Sequence, residues 1–181
     1  HMAEQVMSTV AGSHPDVAFV YQAHPRGTGH AAGVAAQALE REGYRGRVVV
    51  AAGDMVTRPE IVRRLLERSL DASVDLVLAA VPKEGRPNAG RVVPDENGVV
   101  AAVVELPDIT RARANGSDLR VGPDHLSAEQ VEERSHFVNA SLYAFRFPPF
   151  LEALRQLSPE LRGRVHHALR KESVSPTGQR R

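Results

Sequence analysis

Tyr21-Gln22-Ala23-His24-Pro25-Arg26-Gly27-Thr28-Gly29-His30-Ala31, with the apolar run that follows it and closes on Gly53-Asp54, decides how this chain is read. Residues 17–22 alternate as a short strand, Pro25 with Gly27 and Gly29 marks a turn open to close backbone approach, and residues 30–41 form an Ala-rich helical pattern. Residues 47–52 are continuously apolar, the pattern of a buried parallel strand with a functional carboxylate at its C-terminal tip. Strand, glycine loop, helix, strand and acid in that order describe a unit that cradles a ligand.

Composition bounds what that unit can belong to. The chain has 181 residues, of which 42% are hydrophobic, enough for one domain with a sizeable core. A net charge of +1 supplies neither the basic field of a nucleic-acid binder nor the acidic excess of a disordered chain, so nucleic acid is not expected as a partner. The absence of cysteine excludes disulfides, zinc ribbons and thiol chemistry. No apolar run approaches the roughly 18 residues of a membrane span, and no signal peptide is visible, so a cytoplasmic protein without a membrane partner is expected. His1-Met2 reads as a cloning remnant. Positive charge is almost all Arg, with Lys only at Lys83 and Lys171.

Outward from the opening stretch the elements alternate. A short amphipathic helix is expected over residues 3–11, with Val6, Met7 and Val10 on one face, and Gly43 is the expected stop of the helix that begins at His30. After Asp54, Thr57-Arg58-Pro59-Glu60 has the form of a helix start with Thr57 as cap, and Ile61, Leu65, Leu66 and Leu70 form its expected buried stripe. Residues 75–81 read as a third strand. The α-β-α-β-α-β order argues for a mainly parallel sheet with flanking helices. Residues 90–94 and 99–105, joined by Asp95-Glu96-Asn97-Gly98, read as a β-hairpin hanging off that sheet. Residues 107–134 are polar and glycine-punctuated. They predict a long excursion, mobile in part, with a helix at 127–134 capped by Ser127 and Gln130. Residues 137–145 return as a strand and 148–157 as a helix. The tail from Leu161 carries one helical turn and a disordered end.

Five short motifs in order carry a resemblance: Gln22 to Ala31, the strand ending Gly53-Asp54, Asn88-Ala89-Gly90-Arg91-Val92, the hairpin ending Val103-Val104-Glu105, and Phe137-Val138-Asn139-Ala140-Ser141-Leu142-Tyr143. Together they resemble the sugar-1-phosphate nucleotidyltransferases, most of all the N-acetylglucosamine-1-phosphate uridyltransferase type, from near the start of the chain to Phe145. The resemblance implies an α/β, Rossmann-like, nucleotide-diphospho-sugar transferase-like fold with an appended hairpin. It also implies Mg²⁺-dependent transfer of a nucleotidyl group, uridylyl by the closest likeness, from a nucleoside triphosphate such as UTP to a sugar 1-phosphate such as N-acetylglucosamine 1-phosphate, with release of pyrophosphate. Nucleotide-sugar synthesis for a bacterial cell wall is the setting it suggests.

By that resemblance Gln22, Gly27, Thr28 and Gly53 bind the nucleotide: a Gln amide offers donor and acceptor to a uracil edge, and Gly27 admits close backbone approach. Asp54 is the implied Mg²⁺ ligand, since phosphoryl-type transfer relies on positioning and charge neutralisation. Gly90, Glu105 and Asn139 are the implied sugar-binding residues. Each has a plainer alternative: Gln22 before an ordinary β–α turn, Asp54 as a helix cap, Gly90 as a strand start, Glu105 as an exposed strand end, Asn139 satisfying backbone groups. No catalytic acid or base is assigned; His24 and His30 lack a partner carboxylate in sequence, and His166-His167 is given no metal. Arg26 and Arg91 are open to either phosphate contact or plain solvation.

The family's opening strand and glycine-rich phosphate loop have no match before Ala3, neither Lys83 nor Lys171 stands in their context, and no second metal ligand is matched after Leu161. The expected organisation is therefore part of a nucleotidyltransferase-like domain over residues 3–157, followed by a tail over 158–181. The alternative is a non-catalytic sugar-nucleotide-binding or regulatory module, or an inactive fragment of the enzyme. An open sheet edge makes a homo-oligomer the expected consequence.

Overall fold

The computed structural model describes residues 3–24 and 26–157. Pro25, His166-His167, Lys171 and the expected tail lie outside them. The chain divides into two compact units, one formed by His1–Arg47 with Arg146–Arg181 and the other by Val48–Phe145.

The first unit is built from helices. α1 (Ala3–Ser13) buries none of its residues, so the expected apolar face, with Val6 and Met7, is solvent-exposed. α2 (Thr28–Arg41) starts two residues earlier than expected and ends as read, with Gly43 at φ 70°. It packs against α6 (Phe147–Leu157) through its smallest side chains, Gly33 and Ala36, while Phe147, Leu151 and Leu154 are the buried residues of α6. Phe147 meets Tyr44 edge-on at 5.6 Å between ring centroids, and Arg155 pairs with Glu40 at 2.6 Å. The strand expected over residues 17–22 is not formed. Its alternation is real, but no described strand pairs with it. Val17, Phe19, Val20 and Tyr21 stay exposed, because an extended segment becomes a strand only through a partner's ladder.

The second unit holds the sheet. β1 (Arg47–Ala51), β7 (Phe137–Arg146), β3 (Arg91–Pro94) and β4 (Val100–Val104) lie in that order, and β2 (Leu76–Pro82) bonds to β7. The pairs β2–β7, β3–β7 and β3–β4 are all antiparallel, so β2 and β3 share a direction that β7 and β4 oppose. This corrects the mainly parallel expectation: the alternating element order continues only to β2, and β7, inserted late in sequence, runs against β2 and β3. The hairpin is likewise part of the sheet, joined by Arg91↔Val138 and Val92↔Phe137.

Register slips once along β7: Leu78 faces Tyr143, yet Ala80 faces Asn139. The extra residues bulge at Ser141, whose φ of 55° is left-handed backbone that favours glycine. α3 (Pro59–Ser69) covers this face, with Leu65 packed on Leu142 and Ala144 beside Val62 and Val77. Only Leu65 of the expected stripe is buried; Ile61, Leu66 and Leu70 are exposed. Thr57 does not cap α3, since the N-cap is Arg58 and no side chain bonds there.

The largest departure is residues 107–134. They fold as α4 (Leu106–Asn115), a two-stranded ribbon of β5 (Leu119–Val121) and β6 (Asp124–Leu126), and α5 (Ala128–Arg134). Val93, Val104, Ile109, Val121, Leu126, Ala128 and Val131 form one buried cluster there. The excursion expected to be mobile in part thus packs a core against the β3–β4 hairpin. The capping box appears as read, Ser127 Oγ accepting from the Gln130 N–H while the Gln130 side chain accepts from Ser127.

Candidate functional site

Gly90 sits immediately before β3 and is buried. A Cβ there would stand 2.9 Å from both carboxylate oxygens of Glu105, so only glycine leaves that carboxylate where it is. The Gly90 carbonyl accepts the Asn139 N–H at 2.8 Å. Glu105, the exposed N-cap of α4, makes no side-chain capping bond. Its backbone carbonyl holds the helix start by accepting from the Asp108 and Ile109 N–H groups, which leaves the carboxylate uncommitted to the helix. The Asn139 side chain is fixed at both ends: Oδ1 accepts the Ser141 N–H at 3.0 Å and Nδ2 donates to the Tyr143 hydroxyl at 2.5 Å. Gly90, Glu105 and Asn139, distant in sequence, are thus in one cluster.

Asp54 occupies an exposed turn after β1, with Gly53 beside it and the Met55 N–H donating to the Ala52 carbonyl at 3.2 Å. Its plainer role as a helix cap is not realised, because the α3 N-cap carries no side-chain bond. Asp54 and Asn139 line one open cavity of about 960 Å³, with Arg58, Arg64, Arg68 and Arg86 also on its walls. Among the described residues no group of three or more His, Asp or Glu side chains is gathered as a metal site.

Gln22, Gly27 and Thr28 belong to the other unit and form a local turn of their own. The Gln22 amide nitrogen lies 2.7 Å from His30 Nδ1 and donates to the Gly27 carbonyl at 3.4 Å. Gly27, at φ 88°, is the N-cap of α2, and Thr28 is the exposed first residue of that helix. His30 stands in the first turn of α2 and is engaged by Gln22. His24 and Arg26 are exposed.

Arg91 is not available to a phosphate. It is 6% exposed, with Nε 3.0 and 3.1 Å and Nη2 2.9 Å from the Glu132 carboxylate, and Nη1 donating to the carbonyls of Pro87 and Ala89. Lys83 reaches the same carboxylate at 3.5 Å and the Glu132 carbonyl at 2.6 Å. The Arg91 hydrogen bonds hold the Glu132 carboxyl below the usual carboxylate range against the opposing effect of burial, and the charges of Arg91 and Lys83 add to them. Sequence reading passed over Glu132, although a signal existed. Residues 128, 131, 132 and 135 share one helical face, and Glu132 is the charged member among Ala128, Val131 and Ser135.

The family model for nucleotidyl transferases matches residues 1–170. The chain belongs to the nucleotidyl transferase family. Within it, the chain is 31% identical over 159 residues to the "Bifunctional protein GlmU" of Gloeobacter violaceus, an alignment covering 87% of this chain and 30% of that protein. The protein of the same name from Solibacter usitatus is 29% identical, over 88% of this chain and 29% of its own length. That of Burkholderia ambifaria is 34% identical, over 67% and 26%. This nucleotidyl transferase chain therefore spans under a third of the curated relatives it matches. Its mixed α/β architecture is that of the nucleotide-diphospho-sugar transferases. No helix among its described residues is long and apolar enough to cross a membrane.

Proposed function

We propose that this chain binds a nucleoside triphosphate, UTP by preference, and N-acetylglucosamine 1-phosphate, and transfers the uridylyl group between them. An oxygen of the sugar phosphate attacks the α-phosphorus of UTP, the bond to the bridging oxygen breaks, and pyrophosphate leaves. One observation carries this reading: Asn139 joins two groups, bonded through its N–H to Gly90 against Glu105 and lining the cavity that Asp54 also lines.

Each residue then has a physical task. Glu105, with its carboxylate uncommitted to the helix it starts, accepts sugar hydroxyls, and Asn139, with its amide fixed by Ser141 and Tyr143, presents a preset donor and acceptor. Gln22, with Gly27 and Thr28, offers the amide donor and acceptor that a base edge needs, and Gly53, with nothing within 4 Å of a Cβ built there, leaves the turn before Asp54 open to close approach of a nucleotide. Asp54, an exposed carboxylate that caps no helix, suits Mg²⁺, which keeps several waters and takes one or two carboxylates beside substrate phosphates. Bound there, Mg²⁺ supplies charge neutralisation at the phosphates. The arginines that line the same cavity add positive charge. Self-association through an unpaired edge belongs to the same reading, since β2 bonds only to β7 among the described strands.

The test is thermal unfolding with UDP-N-acetylglucosamine and Mg²⁺. Ligand at about 100 times its Kd adds roughly 2.7 kcal/mol, a rise of several degrees. Asp54→Asn is expected to remove most of the Mg²⁺-dependent part of that rise, and no rise for the wild type would sink the proposal. Pyrophosphate release from UTP and N-acetylglucosamine 1-phosphate then separates transfer from binding alone, and selective binding without release assigns the chain to a binding module. Gly90→Ala sharpens the sugar assignment. The new methyl displaces only the flexible end of an exposed Glu105, so the melting temperature stays within about 2–4 °C while affinity for the sugar nucleotide falls about tenfold or more.

A further inference from the structure

Resting on the proposed function, we infer that Glu132 and Arg91 are positioning residues for sugar recognition: α5, through this pair, holds the turn that sets Gly90 against Glu105 and Asn139. The contacts form a short closed chain. Glu132 accepts a forked pair from Arg91, and the third arm of the same guanidinium donates to the carbonyls of Pro87 at 3.1 Å and Ala89 at 2.5 Å. Lys83, at the other end of that turn, donates to the Glu132 carbonyl, while its own N–H donates to the carbonyl of His136. Residues 83–91 are thereby gripped at both ends by one turn of α5 and the residue that follows it closely.

Between those grips the turn is held by long bonds of its own, the exposed Arg86 side chain donating to the carbonyls of Pro82 at 3.3 Å and Glu84 at 3.5 Å. Its backbone bonds are Arg86 N–H to the Lys83 carbonyl at 3.1 Å and Ala89 N–H to the Arg86 carbonyl at 3.4 Å. Gly90, the next residue, is buried beside the Glu105 carboxylate, which would stand 2.9 Å from a Cβ built there, and its carbonyl accepts the Asn139 N–H at 2.8 Å. A displacement at Ala89 is carried through the peptide bond to Gly90, and so to the carbonyl that orders Asn139 and to the backbone surface beside which the Glu105 carboxylate lies. The guanidinium is the group that fixes Ala89, and Glu132 is the group that fixes the guanidinium. Neither needs to touch a ligand for sugar binding to depend on it.

The experiment measures Kd for UDP-N-acetylglucosamine and for UDP by calorimetry, and takes their ratio as the contribution of the sugar. Glu132→Gln is expected to reduce that ratio about tenfold while UDP affinity stays within about twofold, because misplacement acts on the sugar contacts alone. Glu132→Asp, which keeps the charge but shortens the reach, should fall between and decides the matter if the Gln variant does not fold. Glu129→Ala, on the same helix but paired with exposed Arg113, should leave the ratio unchanged. Retention of the wild-type ratio in both Glu132 variants, or a proportional weakening of both ligands, overturns the inference. A wild-type protein that binds neither ligand overturns the proposed function itself, and this inference with it.

Discussion

Ile109→Ala is expected to lower the unfolding free energy by about 3–4 kcal/mol, read as a shift of the urea midpoint at constant slope. Ile109 is fully buried on α4, one of the largest side chains in the cluster with Val93, Val104, Val121 and Val131. Its removal discards the transfer free energy of three carbon atoms and leaves a cavity bounded by the β3–β4 hairpin on one side and the β5–β6 ribbon and α5 on the other. Those elements are pinned by their own hydrogen bonds and cannot collapse fully into the gap. Arg111→Ala, two residues away and well exposed, should change stability by less than about 0.5 kcal/mol. The contrast measures whether residues 107–134 belong to the cooperative core. A loose excursion would make both substitutions equally mild.

That same segment shows where the sequence was hard to read. Its core residues sit at 109, 112, 121, 126, 128 and 131, spread across two helices and a ribbon and diluted by Arg, Asp, Glu and Gly. No single window therefore shows a sustained apolar period. Local signals survived: Ser127 with Gln130 marked α5, Asn97-Gly98 the hairpin, and Gly43 the end of α2. Strand direction did not, because nothing local in residues 137–145 says that β7 opposes β2 and β3. Residues 17–22 have the alternation of a strand, and alternation cannot supply a partner. The site divides in the same way. Gly90, Glu105 and Asn139 were singled out by the family resemblance, since each residue type alone has a plainer reading, and the structure brings the three into one cluster. The Lys83–Glu132 contact spans 49 residues and exists only after α5 folds back.

Arg91→Met is expected to cost about 2–4 kcal/mol, comparable to the Ile109 effect, because it removes the buried member of a half-buried ion pair together with the donor of two backbone carbonyls. With the guanidinium gone, Glu132 retains only the longer contact to Lys83, and the carbonyls of Pro87 and Ala89 lose their donor. The pH dependence identifies the cause. The Glu132 carboxyl is held below the usual carboxylate range, chiefly by the Arg91 hydrogen bonds. A group depressed in the folded state contributes stability that is complete above its unfolded value, about 4.3, and is lost as pH falls through the lower folded value. Wild-type stability should therefore decline in acid by an increment that Arg91→Met does not show, and the gap between the two proteins should narrow from pH 7 toward pH 3. Urea unfolding of both at the two pH values reads this directly. A gap of the same size in acid would mean that Arg91 stabilises the turn through its carbonyl contacts alone, with the Glu132 charge contributing nothing.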